Sequence, residues 1–198
     1  MNTFSLTIGI DIDATLTEPY YWLPFTNEYF GLNQKPEDMT CYDLAVNLGI
    51  SEEEYLEFYL EHGEKIHRHS PIRKEAPSIL QDMYPTHQLY YITARHPNME
   101  KVTKDWLSRH AIPQNGLFLL GSHDKVGKAQ ELRCDLFIED RYENARAIAE
   151  SGVDVLLMDC TYNRNQEMLP NMKRIENWYQ VQDVISTMEK NRLTLKNL

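Results

Sequence analysis

Five short apolar runs, each well below helix length, constrain this chain more than any other feature. They are Leu6–Ile10, Gln88–Ile92, Leu117–Leu120, Asp135–Ile138 and Val153–Met158. Amphipathic helical stretches near 98–110, 125–133 and 142–150 fall between the later runs. In the last of these, Ala145, Ile148 and Ala149 share one face and Gly152 is placed to stop the helix. Val181, Val184, Ile185 and Met188 follow at i, i+3, i+4 and i+7, which predicts a final helix packed on the sheet. Short buried strands alternating with crossover helices give a parallel sheet, so the expected fold class is α/β with a doubly wound sheet.

One segment breaks the alternation. From Thr17 to Pro77 there is no strand signal, over a length far beyond an ordinary strand-to-helix connection. Ser51-Glu52-Glu53-Glu54 reads as a capping box, with acids at the positive end of the helix dipole, and Tyr55, Phe58 and Tyr59 give that helix an apolar side. The expected organisation is therefore a catalytic core of residues 1–16 and 78–198, with residues 17–77 inserted after the first strand as a small helical cap.

Length and charge narrow the partners. A chain of 198 residues suits one domain carrying an insertion, and it can bury a core without disulfides. The net charge of −10 provides no global positive field, which argues against a nucleic-acid polymer but leaves room for a small phosphorylated molecule in a local positive pocket. Cys41, Cys134 and Cys160 are too scattered for a disulfide framework or zinc knuckle and fit a reducing compartment. The N-terminus lacks a basic leader region, and no apolar run approaches the roughly 20 residues that span a bilayer. No membrane association is expected, and the expected location is the cytoplasm. A homodimer is left open.

Polar residues cluster at the carboxyl ends of the apolar runs, where open parallel sheets place their ligand crevice. Asp11 and Asp13 follow the first run, Thr93 the second, and Glu139 and Asp140 the fourth; Lys125 comes shortly after the third. Carboxylates, a hydroxyl and an amine together suit a hard cation such as Mg²⁺ beside a phosphoryl group. A carboxylate can also attack phosphorus and split one difficult displacement into two easier ones. Asp-x-Asp alone is common at turns; its combination with Thr93, Lys125 and Asp140 at strand ends points to catalysis.

Asp11-Ile12-Asp13-Ala14-Thr15-Leu16 after an apolar strand closely resembles the first motif of the haloacid-dehalogenase (HAD) superfamily of phosphohydrolases. Tyr91-Ile92-Thr93, a lysine, and Phe137-Ile138-Glu139-Asp140 follow in that superfamily's order. Within it the chain resembles the 5′(3′)-deoxyribonucleotidases and their bacterial nucleotidase relatives, through Asp124-Lys125, the acidic pair before Arg141, Tyr162-Asn163-Arg164 and Trp178. The resemblance implies a Rossmann-like core and a Mg²⁺-dependent phosphomonoesterase working through an aspartyl-phosphate on (deoxy)nucleoside monophosphates. It implies Asp11 as nucleophile and metal ligand. Asp13 would bind metal through its carbonyl and serve as acid and base through its side chain, and Asp140 would complete the metal shell with Glu139 behind it. Thr93 and Lys125 would hold phosphate, with Lys128 competing for the lysine role.

Tyr20, Tyr21, Trp22 and Phe25 open the inserted segment and serve equally well as a nucleobase platform or as its packing core. Arg95 is a further candidate substrate contact; whether it or Arg164 reaches the substrate is not readable from spacing. His62, His67 and His69 do not share one helical face, which argues against a zinc site. Two other readings remain. One is the same chemistry on another phosphate ester such as a sugar phosphate. The other is a phospho-acceptor signalling domain, which the position of the acidic pair on the first strand and the long insertion disfavour.

Overall fold

The computed structural model describes residues 5–195; residues 1–4, which belong to the N-terminal reading above, lie outside that range. Among the described residues, six strands form one parallel sheet: β1 (Thr7–Ile10), β2 (Gln88–Thr93), β3 (Gly116–Leu119), β4 (Leu136–Glu139), β5 (Asp154–Met158) and β6 (Met172–Ile175). Their spatial order is β3-β2-β1-β4-β5-β6. The chain winds outward from β1 to β3, then returns to lay β4 against the free side of β1, pairing Ile10 with Ile138. That reversal opens a crevice at the carboxyl ends of β1 and β4.

Five runs were expected and each holds a strand, with ends displaced by a residue or so. The sixth strand, β6, was not expected. Its sequence, Met172-Lys173-Arg174-Ile175, has only its first and last residues buried, because it lies at the sheet edge beyond β5. Two charged residues in the middle of a four-residue strand hide it from hydropathy patterning.

Between β1 and β2 the chain forms α1 (Leu23–Phe30), α2 (Leu44–Leu48), α3 (Glu52–His69) and α4 (Ala76–Met83). The Ser51 capping box is formed: Ser51 Oγ accepts from the Glu54 amide at 3.1 Å, and Glu54 Oε2 accepts from the Ser51 amide at 2.8 Å. The excursion closes on itself. Thr17 bridges Ile72 in antiparallel fashion, the Glu18 amide donates to Pro71 O and the Arg73 amide to Leu16 O, each at 2.8 Å.

The remaining helices are α5 (Glu100–Arg109), α6 (Val126–Glu131), α7 (Tyr142–Glu150) and α8 (Trp178–Leu195). One face of the sheet is covered by α4, α5 and α8, whose Leu80, Trp106 and Val181 pack with Ile8, Ile10 and Tyr91. On the other face α6 and α7 bring Ala129, Ala145 and Ile148 against Phe137, Val155 and Leu157. Gly9 permits this second layer: a Cβ there would lie 2.4 Å from the Phe137 ring, so only glycine leaves room for it in the middle of β1. No described helix is long and apolar enough to cross a membrane.

Candidate active site

The crevice between β1 and β4 collects a cluster of buried charge. Asp11, Lys125, Glu139 and Asp140 are all buried there. Asp11, Glu139 and Asp140 sit at or just beyond the end of a buried apolar strand, which fixes their height in the crevice. Lys125, at the start of α6, donates to Asp11 and to Glu139 Oε2, the latter at 2.7 Å. The other Glu139 oxygen accepts from the Asp140 and Arg141 amides at 3.2 and 3.1 Å. Asp140 accepts from Thr15 Oγ1 at 3.3 Å and from the Tyr162 hydroxyl.

Three carboxylates therefore face one ammonium. Ligand atoms of Asp11, Glu139 and Asp140 lie within 4.8 Å of one another. Burial pushes the Asp11 carboxyl up; Lys125 pulls it back in part, Glu139 pushes again, and it rests at about 7. Asp140 is held well above the usual carboxylate range by burial, then by Glu139 and Asp11. With all three ionised, the carboxylates would exceed Lys125 by two negative charges, a set of oxygen donors that fits a hard divalent cation. Glu139 accepts three hydrogen bonds, against two at Asp140 and one at Asp11, so Asp11 and Asp140 keep more lone pairs to offer a cation.

Asp13 is engaged differently. Arg95 clamps its carboxylate with two bonds, Nε to Oδ2 at 2.9 Å and Nη2 to Oδ1 at 2.5 Å, and the Tyr21 hydroxyl donates to Oδ1 at 2.6 Å. Burial works against the Asp13 charge, but Arg95 more than offsets it and holds the carboxyl well below its usual range. Arg95 is itself buried and steadied by Thr103 at 3.0 Å. Behind Tyr21 stands His67, whose Nδ1 lies 3.2 Å from the Tyr21 oxygen and whose Nε2 lies 2.8 Å from the Tyr59 oxygen. Burial, with Arg95 nearby, lowers His67 to about 3, so it is neutral. His62 instead packs its ring against Tyr29 and Phe58, and His69 bonds the Lys65 carbonyl. The three histidines do not converge.

Above these groups a cavity of about 660 Å³ opens between the inserted helices and the strand ends. Tyr20, Tyr21 and Trp22 line it beside Asp13, Arg95 and Asp140. Thr93 is buried at the end of β2, where its hydroxyl accepts from the Arg95 amide at 3.2 Å. Lys128 lies away from the acidic cluster, paired with Glu131 at 2.5 Å over the Phe118 ring. Arg164 is also elsewhere, exposed and paired with Asp159. Phe25 does not line the cavity and packs beneath Lys65.

Several lining residues were given no binding role from the sequence. Tyr55 and Tyr59, read there only as the apolar side of their helix, reach the cavity from α3; Tyr162, quoted only within a motif, reaches it from the turn after β5, and Tyr42, not named at all, from the loop before α2. Thr15 lies in the quoted Asp-Ile-Asp-Ala-Thr run but received no role. The α3 pair could have been found from its i, i+4 spacing; Tyr42 carries no such signal.

Comparison with known proteins bears on this arrangement. The family described as 5′ nucleotidase, deoxy (pyrimidine), cytosolic type C protein matches residues 5–192. A nucleotidase of Clostridium acetobutylicum is 37% identical over 183 residues, spanning 92% of this chain and 95% of that protein. Among solved structures, a haloacid dehalogenase-like hydrolase of Streptococcus pneumoniae superposes with a TM-score of 0.66 at 13% identity, covering 89% of this chain and 96% of its own. A haloacid dehalogenase-like hydrolase of Xanthomonas campestris gives 0.65 at 10% identity, covering 96% and 98%. Identities this low speak for the fold alone.

Proposed function

The chain belongs to the cytosolic type C 5′-nucleotidase family of HAD-type hydrolases, and from that premise we propose that it hydrolyses (deoxy)nucleoside monophosphates with Mg²⁺ through an aspartyl-phosphate on Asp11. One observation carries the reading: a buried cluster of three carboxylates and one lysine stands beside an aromatic-lined cavity large enough for a nucleoside. Mg²⁺, held by Asp11, the Asp13 carbonyl and Asp140, would balance the cluster's excess charge and draw electron density from the phosphoryl group.

The chain's own residues then have defined tasks. An Asp11 carboxylate oxygen forms a bond to phosphorus as the bond from phosphorus to the ester oxygen breaks. Asp13 gives a proton to the departing alkoxide, then takes one from the water that cleaves the acyl phosphate, returning Asp11 and releasing inorganic phosphate. Lys125 keeps the Asp11 charge and the phosphate dianion from repelling each other, and the Thr93 hydroxyl holds a phosphoryl oxygen. Asp13 can serve as an acid only after leaving Arg95. An arriving phosphate is the natural competitor for that guanidinium, so substrate binding frees the acid it needs. Residues 17–77 act as a cap, with Tyr20, Tyr21 and Trp22 offering faces to the base.

A panel of nucleoside monophosphates and sugar phosphates, assayed after chelation and again with Mg²⁺, tests this. Mg²⁺-restored hydrolysis of nucleotides ahead of sugar phosphates is expected. Full activity after exhaustive chelation refutes the metal, and a preference for sugar phosphates refutes the substrate class.

A further inference from the structure

Asp140 is held from two directions by one short turn. Thr161 to Asn163 form a single 3₁₀ turn between β5 and β6. The Tyr162 hydroxyl donates to Asp140 Oδ2, while Thr15 Oγ1 donates to Oδ1 at 3.3 Å. The backbone is held too: Asn163 Nδ2 donates to the Asp140 carbonyl at 2.7 Å and to the Met158 carbonyl at 2.8 Å. Asn163 is fully buried, and Arg174 from β6 fixes it by donating to its side-chain oxygen and, at 2.7 Å, to its carbonyl. The edge strand β6 thus braces the acidic cluster through Asn163.

The turn is also fastened to the inserted segment. The Thr161 amide donates to the Tyr20 hydroxyl oxygen at 2.7 Å, and Thr161 Oγ1 donates to the Met39 carbonyl at 2.6 Å. The Tyr162 ring meets Tyr20 and Tyr42 edge to face, with centroids 6.1 and 5.6 Å apart. These contacts hold the ring, and the hydroxyl faces Asp140 with the Cys160 thiol beside it.

We infer that Tyr162 is a positioning residue for the metal ligand Asp140, its hydroxyl, with Thr15 on the other oxygen, fixing the orientation in which the carboxylate offers its remaining lone pairs to a divalent cation. The inference rests on the reading above that Asp140 holds Mg²⁺. A carboxylate left free to rotate must be ordered when the cation binds, and hydrogen-bond partners of metal ligands typically contribute 10–100-fold in affinity. Replacing Tyr162 by Phe removes only the hydroxyl and keeps the ring between Tyr20 and Tyr42.

The test compares cation binding by wild type, Tyr162→Phe and Asp140→Asn. Mn²⁺ binding is followed by electron paramagnetic resonance, with Mg²⁺ as competitor, and the Mg²⁺ dependence of hydrolysis is followed in parallel. Tyr162→Phe is expected to keep the wild-type circular dichroism spectrum and to weaken cation binding by about 10–100-fold. Activity it loses at low Mg²⁺ should be recovered by raising Mg²⁺. Wild-type cation affinity in Tyr162→Phe, with binding lost in Asp140→Asn, overturns the inference and leaves the metal site standing. Wild-type affinity in Asp140→Asn overturns the metal site itself and the inference with it.

Discussion

Asp11 and Asp13 are two residues apart, yet their surroundings drive them in opposite directions. Asp11 sits in an acidic cluster that lifts its carboxyl to about 7, whereas the Arg95 clamp holds Asp13 well below its usual range. The proposed nucleophile thus depends on a cation and Lys125 to remain ionised, and the proposed acid depends on losing Arg95. Asp11→Asn should keep the fold and lower turnover on the order of 10³-fold or more, measured by phosphate release; substantial hydrolysis by the folded variant would remove Asp11 from that role. Asp13→Asn should slow the phosphorylation step by about 10²–10⁴-fold on nucleotides. The loss should be much smaller on p-nitrophenyl phosphate, whose leaving group needs little protonation. Pre-steady-state rates on both substrates decide it, and equal losses would mean that Asp13 acts through structure or metal binding instead.

The strands act as rulers for this site. In β1 each buried apolar residue is locked by its neighbours, so Asp11 emerges at one height, and its amide is tied to the Ile138 carbonyl of β4 at 2.9 Å. The tightest point of that ruler is Gly9. A methyl there meets the Phe137 ring at 2.4 Å, and both residues lie in the middle of paired strands. Overpacking of this kind typically costs about 1–3 kcal/mol. Gly9→Ala should therefore lower stability by that order in urea denaturation, and Phe137→Leu in the same chain should recover part of it, because the two sites share one volume. A strictly additive double variant would show that the strain lies elsewhere. The site's legibility also ends with the elements. Asp11, Thr93 and Asp140 were readable as candidates because a strand end is a sequence position, and Lys125 through the Asp-Lys step of the resemblance. Arg174 was not, because its strand shows no apolar run, and Tyr42 was not, because a loop tyrosine has no periodicity.

Across the molecule, histidines offer a measurable pH response. His87 accepts from the Leu6 amide at 3.2 Å through Nδ1, and burial holds it below its ordinary value of 6.5, with Glu189 countering in part. His110 is lowered by burial and Arg109, and His123 falls to about 4 through burial, Arg141 and Lys125. A base whose folded value is depressed binds its proton more readily when unfolded. Its contribution is therefore complete above about 6.5 and is lost as pH falls from there toward its folded value, near 4 for His123. At saturating Mg²⁺, which on the proposed reading keeps the acidic cluster ionised, the urea midpoint should decline steadily from pH 7 to pH 4.5. His87→Asn should soften that decline. A midpoint that rises on acidification would reverse the assigned sign.

Local pattern alone was sufficient for the parallel α/β class, for five of the six strands, and for the acidic and basic residues at their carboxyl ends. Those features depend on short-range alternation and on the rule that a buried strand must end where polarity begins. Three things belonged to the folded chain. The order β3-β2-β1-β4-β5-β6 brings Asp11 beside Asp140, residues 129 positions apart, and no local signal encodes that pairing. Of Lys125 and Lys128, three residues apart, the resemblance favoured the first; that Lys125 reaches Asp11 and Glu139 while Lys128 pairs with Glu131 is a matter of which side of α6 each occupies. The state of Asp13 came from Arg95, 82 residues away, because charge acts through distance in space and is indifferent to separation along the chain.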